Sequence, residues 1–240
     1  MVTKCRWEEC DCHALNCLTK LVIIFLLYYP LQAFTQVWLI EYTTGYGTYQ
    51  LDDIKELQHS KLNNYGLKET DSFPNYFTHS ASLGYGTGLH HFGSTFSYLT
   101  TGGRLHRADY SGSYTIDMII NGYRLGTFYR FYINKGFSPL SFYLQISPGV
   151  LFSNLEIKEQ VIINSESVQE STNLKGFGLY VEPSIGAKYR VANWLQFLLR
   201  GGYEFDFPGK MKLSGQETQI ESNWNGFRLY GGLILFYQLK

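Results

Sequence analysis

The chain has 240 residues and a formal net charge of zero, and only 17% of its residues are charged, against about a quarter in a soluble domain. That balance excludes a basic nucleic-acid surface, while 20 Tyr, 17 Phe and 24 Gly against 6 Pro favour strands over helices. All 4 cysteines, Cys5, Cys10, Cys12 and Cys17, precede an apolar run at 21–29, and the group Cys10, Asp11, Cys12 and His13 matches no common zinc spacing.

Segment 20–36 reads as a secretory signal: basic Lys20, the apolar run, Pro30, then small Ala33 and Thr35, with cleavage expected between Thr35 and Gln36. A spanning helix needs about 20 apolar residues, so the run is too short to anchor the chain. Residues 1–17 stand ahead of the basic region as an odd prefix, which reads as a start-site artefact with Leu18 as the alternative initiator. The expected organisation is therefore a removed leader over 1–35 and one domain over 36–240. Removal takes three residues of each charge and every cysteine, as suits an exported protein without disulfides.

From residue 37 the two-residue alternation of a strand sets in, with Trp38, Ile40, Tyr42 and Tyr46 on one parity. Spacing turns helical at 51–57, predicting a short helix in a long loop that reaches Pro74. A second strand over 76–89 sets Phe77, Leu83 and Tyr85 against a face of Thr78, Ser80, Ser82, Gly84, Gly86 and Gly88. That uncharged, small face predicts room for bulky side chains from other strands inside a narrow barrel. His90 and His91 follow in a turn and read as solvated rather than as metal ligands.

The third strand spans 92–104, and residues 101–112 are assigned to the next loop. In the fourth, the apolar parity is odd over 123–133 but even at Ile116, Met118 and Ile120. A bulge at Asn121 and Gly122 would account for the phase change, or else the residues before Asp117 stand above a membrane. A fifth strand runs over 140–157, and a polar loop surrounds 164–172. The clearest hairpin follows: Phe177, Leu179, Val181 and Ile185 alternate with Tyr180, Glu182 and Lys188, then Phe197, Leu199, Tyr203 and Phe205 with Gln196, Arg200 and Glu204. Residues 208–222 form the last long loop, and an eighth strand covers 226–239.

Eight strands with short turns near His90, Lys135 and Ala192, and long loops between, follow the rim asymmetry of a transmembrane barrel. The polar parity mixes Gly, Ser and Tyr with isolated charges of both signs, which suits a crowded interior rather than a water-facing wall. The apolar parity then faces outward, as only a bilayer favours on every strand.

The sequence resembles the small eight-stranded outer-membrane barrel proteins of Gram-negative bacteria over residues 36–240. Gly45, Tyr46 and Gly47, the run Thr101, Gly102, Gly103 and Arg104 with Asp109, Tyr110, Ser111 and Gly112, and Ala192, Asn193 and Trp194 look like barrels of the Bacteroidota group. The resemblance implies an all-β, up-and-down barrel in the outer membrane, in contact with lipid and lipopolysaccharide and inserted by the barrel-assembly machinery. Such families end on an aromatic residue recognised during assembly; here Tyr237 is followed by Gln238, Leu239 and Lys240.

With the polar parity inward, Glu41, Arg124, Arg130, Glu182, Lys188, Arg190, Arg200, Glu204, Asp206 and Arg228 project into the lumen or to its rims. Unpaired buried charges cost several kcal/mol, so a network joining Arg124, Arg200 and Arg228 with Glu41, Glu182 and Glu204 is expected, with Arg130 nearby. The leading expectation is a structural or surface-interaction protein without a cofactor. A small porin with a gated polar path is the alternative. A lipid-modifying enzyme would use His59 with Ser60, His79 with Ser80, or His106 with Asp109, pairs that chance supplies readily. A secreted soluble barrel holding an apolar ligand would need the opposite facing. Beyond residue 35 there is no Gly-rich phosphate loop, CxxC or HExxH motif, and the loops at 51–73 and 209–223 name no surface partner.

Overall fold

A computed structural model describes residues 36–110, 112–133, 139–163 and 166–238. The elements in chain order are β1 (Gln36–Gly47), α1 (Asp52–Tyr65), β2 (Lys68–Ser72), β3 (Tyr76–Thr87), β4 (His90–Asp109), β5 (Gly112–Tyr132), β6 (Leu140–Ile163), β7 (Glu166–Arg190), β8 (Leu195–Pro208), β9 (Lys210–Leu213), β10 (Gln216–Glu221) and β11 (Gly226–Gln238). Eight of them, β1, β3, β4, β5, β6, β7, β8 and β11, form an antiparallel ring that closes where β11 pairs with β1. The segment 1–35 expected as a leader, with the Cys10 to His13 group and Thr35, lies outside the described residues; Gln36 is the first residue of β1.

The register shows the closure directly. Stepping across ladder partners from Val37 to Gly86, His91, Arg130, Gln145, Ser184, Gly202 and Arg228 returns to β1 at Gly47, ten residues further on. Such a stagger tilts the strands, and eight strands at that tilt enclose a lumen that side chains fill. Short gaps in the β5–β6 and β7–β8 ladders fall beside Pro148 and Pro183, which have no N–H to donate.

Strand lengths divide the ring. β4, β5, β6 and β7 have 20, 21, 24 and 25 residues, whereas β1, β3, β8 and β11 have 12 to 14. The long strands therefore rise past the rim as an open sheet, which β2 widens by pairing with β4, and β9 and β10 widen beyond β7. Segments assigned from sequence to loops at 101–112, 164–172 and 208–222 thus contain strand. Over 166–173 of β7 both faces are exposed, so that stretch carries no apolar stripe to mark it as strand.

The phase change in the fourth strand has a different cause from the expected bulge. The β4–β5 register is unbroken from His90 opposite Phe131, through Leu99 opposite Gly122, to Asp109 opposite Gly112. Even-numbered residues of β5 face inward throughout, from Ile116 and Met118 to Arg124 and Arg130, all buried. What changes near Gly122 is the surroundings: below it the inside is polar and the outside apolar, and above it the pattern reverses.

Under the extension's concave face sits α1. Asp52 and Asp53 in its first turn oppose the positive N-terminal end, and Gly66 ends it in a left-handed conformation, its N–H bonded to Leu62 O. Ile54 and Gln58, one turn apart, are its buried residues. Ile54 joins Leu51, Leu99, Leu105, Ile116, Met118, Ile120, Leu155 and Trp224 in one apolar cluster, while Gln58 Nε2 donates to Asp71 O at 2.6 Å.

Candidate functional site

The ring brings the seven lumen candidates together: Glu41, Arg124, Arg130, Glu182, Arg200, Glu204 and Arg228 all point inward and none is more than 6% exposed. Each comes from the parity of its strand opposite the outward aromatics. Arg130 on β5 donates from Nη2 to Glu41 Oε2 at 2.6 Å and from Nε to Gln145 Oε1 at 2.8 Å. Arg124, three pleat repeats further up, donates from Nη1 to Glu182 Oε2 at 2.9 Å and also to Glu204.

Arg200 lies 3.8 Å from Glu41 and 3.9 Å from Glu182, so it links the two levels by charge rather than by hydrogen bonds. Arg228 reaches Glu204 at 3.4 Å. Four guanidiniums thus share three carboxylates in one connected column. Isolated charges at this depth would each cost several kcal/mol, and the pairing offsets that cost.

Aromatic side chains complete the packing. Guanidiniums of Arg124, Arg130 and Arg200 lie 5.0, 4.4 and 4.4 Å from the ring centroids of Tyr180, Tyr143 and Tyr230. Tyr230 OH accepts from Arg124 Nη2 at 2.9 Å and donates to Glu182 at 3.0 Å. The small face of β3 makes the room: a Cβ on Gly84 would lie 2.7 Å from Phe128 Cζ. At the turn end, Lys188 Nζ stands 3.9 Å from the Tyr132 ring centroid.

The upper mouth is closed. Trp224 is fully buried over the column, donates Nε1–H to Ser153 Oγ at 2.9 Å, and meets Tyr49 edge to face at 5.0 Å. Asp206 accepts from the Trp224 N–H at 2.9 Å and Arg228 Nη2 donates to Trp224 O at 2.7 Å, so the lumen charges themselves hold the cap. Above it come the apolar cluster and α1, which means that the first long loop folds inward over the lumen.

Outside, the wall carries two aromatic belts. Tyr46, Phe77, Tyr98, Tyr123, Phe152, Phe177 and Phe227 mark the upper edge, and Trp38, Phe92, Tyr129, Phe131, Phe142 and Tyr189 the lower. Neighbours pack ring on ring, as Phe152 with Phe177 at 5.4 Å and Trp38 with Tyr85 at 5.7 Å. Phe142 and Phe152 on β6 are ten residues apart, about 33 Å along the strand and roughly 25 Å along the barrel axis at a tilt of about 40°. Beyond the upper belt the outer wall turns polar: Arg104 grips Asp117 through two hydrogen bonds of 2.5 and 3.0 Å, His106 bonds Thr115 at 2.9 Å, and Lys158 pairs with Glu156 at 3.1 Å.

At the end of α1, Lys61 pairs with Glu159, and Tyr114 OH donates to the same carboxylate at 2.8 Å. Burial alone would push the Glu159 carboxyl up, but the bonds from Lys61 and Tyr114 prevail and hold it below its ordinary value.

His59 and Ser60 are both exposed on α1, and the remaining histidine pairs are separated by the strand pleat. His79 faces outward and bonds Tyr42 OH at 3.0 Å, while Ser80 faces the lumen and bonds Ser97 at 2.7 Å. His90 and His91 open β4 instead of forming the expected solvated turn: His90 lies outside against Tyr129 OH at 2.7 Å, whereas the pleat carries His91 inside, where it is buried against Tyr132. His106 is engaged with Thr115 on the outer wall, on the opposite parity from Asp109. Sequence reasoning missed the closing role of Trp224 and Tyr49. The available signal was a lone Trp in the polar run Asn223, Trp224, Asn225, where a water-facing loop has no use for an indole.

No family model matches the chain, and no curated protein matches it. Among solved structures it is similar to Neisserial surface protein A at 13% identity, covering 83% of this chain and 96% of that one with a TM-score of 0.39. It is similar to Ail, the attachment invasion locus protein of Yersinia pestis, at 13% identity over 85% and 99% of the two chains with a TM-score of 0.33. The N-terminal β-barrel domain of Pseudomonas aeruginosa OprF matches at 11% identity over 85% and 98%, with a TM-score of 0.34.

Proposed function

We propose that this chain is an integral outer-membrane β-barrel whose lumen is a closed structural core and whose function, recognition at the cell surface, is carried by the extension above the belt. The observation that supports this reading is the reversal near Gly122. One continuous set of strands is apolar outside and ion-paired inside below that level, and polar outside and apolar inside above it. A soluble barrel has no reason to reverse its facing part-way along a strand; a strand leaving lipid for water does.

Under this reading the belt contacts lipid acyl chains, lipopolysaccharide surrounds the upper rim, and the barrel-assembly machinery inserts the chain. The lumen holds no substrate, because Trp224 and the guanidinium column occupy it. The extension supplies a platform: a wide sheet backed by α1, with the strand ends at Asp109, Gly112, Ile163 and Glu166 farthest from the bilayer. Cell fractionation with heat-modifiable gel mobility, followed by protease treatment of intact cells, tests the reading. It expects a heat-shifted outer-membrane band with cleavage confined to the loops and tips above the belt; a soluble periplasmic protein would overturn it.

A further inference from the structure

Where the last turn of α1 meets the far ends of β5, β6 and β7, the extension leaves a cleft of about 460 Å³ lined by Tyr65, Tyr114, Glu159, Val161, Val168 and Glu170. Glu159 and Glu170 are direct cross-strand partners on the concave face, a like-charge arrangement that destabilises a sheet unless a cation intervenes. Lys61 answers Glu159. Among the described residues no Lys or Arg comes within ion-pair distance of Glu170. The hairpin segment 159–174 contains three Glu and no basic residue, so the site is left one positive charge short.

The remaining walls suit the stem of a cationic side chain. Tyr65 and Tyr114 meet edge to face at 5.5 Å, Tyr65 is 51% exposed and Val168 63% exposed. Aromatic faces attract a cation, and aliphatic walls accept the methylenes that carry it. A divalent metal would want about six oxygens, whereas one free carboxylate is offered. A lysine or arginine matches one carboxylate, two rings and two valines.

We infer that this cleft receives a lysine or arginine side chain of an extracellular polypeptide, with Glu170 as the ion-pair partner and Tyr65 and Tyr114 flanking the stem. The inference rests on the extension being the surface-exposed platform proposed above, and it names the chemistry of the partner.

Fluorescence anisotropy of a labelled hexalysine peptide against the purified protein in detergent micelles tests it, with a hexaglutamate peptide as the charge control. Wild type binds hexalysine and not hexaglutamate. Glu170→Gln weakens binding about fivefold and Tyr65→Ala about threefold, while Glu56→Gln, the same charge change on the exposed side of α1, leaves it within twofold. Equal losses in Glu170→Gln and Glu56→Gln, or no binding by wild type, overturn the inference. Labelling of intact cells carrying Tyr65→Cys with a membrane-impermeant maleimide separates the two readings: labelled cells with no peptide binding remove the cation site and leave the platform, and unlabelled cells remove the platform itself.

Discussion

Arg124 on β5 and Glu204 on β8 meet across the lumen, 3% and 0% exposed, and the same carboxylate also faces Arg228 at 3.4 Å. Glu204, like Glu41 and Glu182, is a buried carboxylate that serves two guanidiniums, so the barrel is sensitive to loss of its charge. Glu204→Gln keeps the shape and removes the charge, and should lower unfolding free energy by about 3–5 kcal/mol. Urea unfolding in lipid vesicles measures it; an unchanged midpoint would mean that the two guanidiniums are satisfied elsewhere.

Packing between β3 and β5 gives a second expectation. A Cβ at Gly84 would lie 2.7 Å from Phe128 Cζ, 3.0 Å from Phe92 O and 3.2 Å from Leu39 Cδ1. Gly84→Ala should cost about 1–3 kcal/mol through overpacking. Adding Phe128→Leu removes the nearest obstruction, so the double variant should be more stable than Gly84→Ala predicts by simple addition.

The contact at the end of α1 should respond to acid. Glu159 is held below its ordinary pKa by Lys61 and Tyr114, so the stabilisation is fully present above the unfolded carboxylate value, about 4.3. It fades as pH falls through the depressed folded value. Amide exchange over residues 58–66, corrected for intrinsic rates, should stay slow from neutral pH to about 5 and quicken below about 4. Glu159→Gln should exchange faster already at neutral pH and lose the acid response; a wild-type profile in that variant would contradict the assignment.

A closed lumen predicts electrical silence. With Trp224 buried above the charge column, the protein in a planar bilayer should show no unitary conductance, and neither should Lys188→Ala, which clears the lower mouth. Regular open steps in wild type would restore the porin reading.

Much of this was legible in the residues because period two is strict on every ring strand. The inward and outward rows and the membership of the charge column follow from parity alone, and α1 from the switch to helical spacing at 51–57. The extension was not, for a physical reason. Parity reports which residues share a face but not what that face touches, and Ile116, Met118 and Ile120 lie on the same inward row as Arg124 yet belong to the apolar cluster that holds Ile54 of α1 instead of to the ion column. Read with one environment in mind, their change of character looked like a change of register. Ladder partners such as Lys68 with His106, or Gln216 with Leu213, likewise join polar segments that carry no apolar stripe and therefore resemble loops.

The central claim is that one outward row passes from lipid into water near the level of Gly122, and collision measurements on spin labels test it most directly. Residues 36–240 contain no cysteine, so a single introduced one carries the nitroxide at Leu179, Leu199 or Ser171 in lipid vesicles. Positions 179 and 199 should relax with oxygen and be shielded from a nickel chelate, while position 171, on the same strand and parity as 179, should show the opposite preference. Nickel access at 179 and 199 equal to that at 171 would contradict the account.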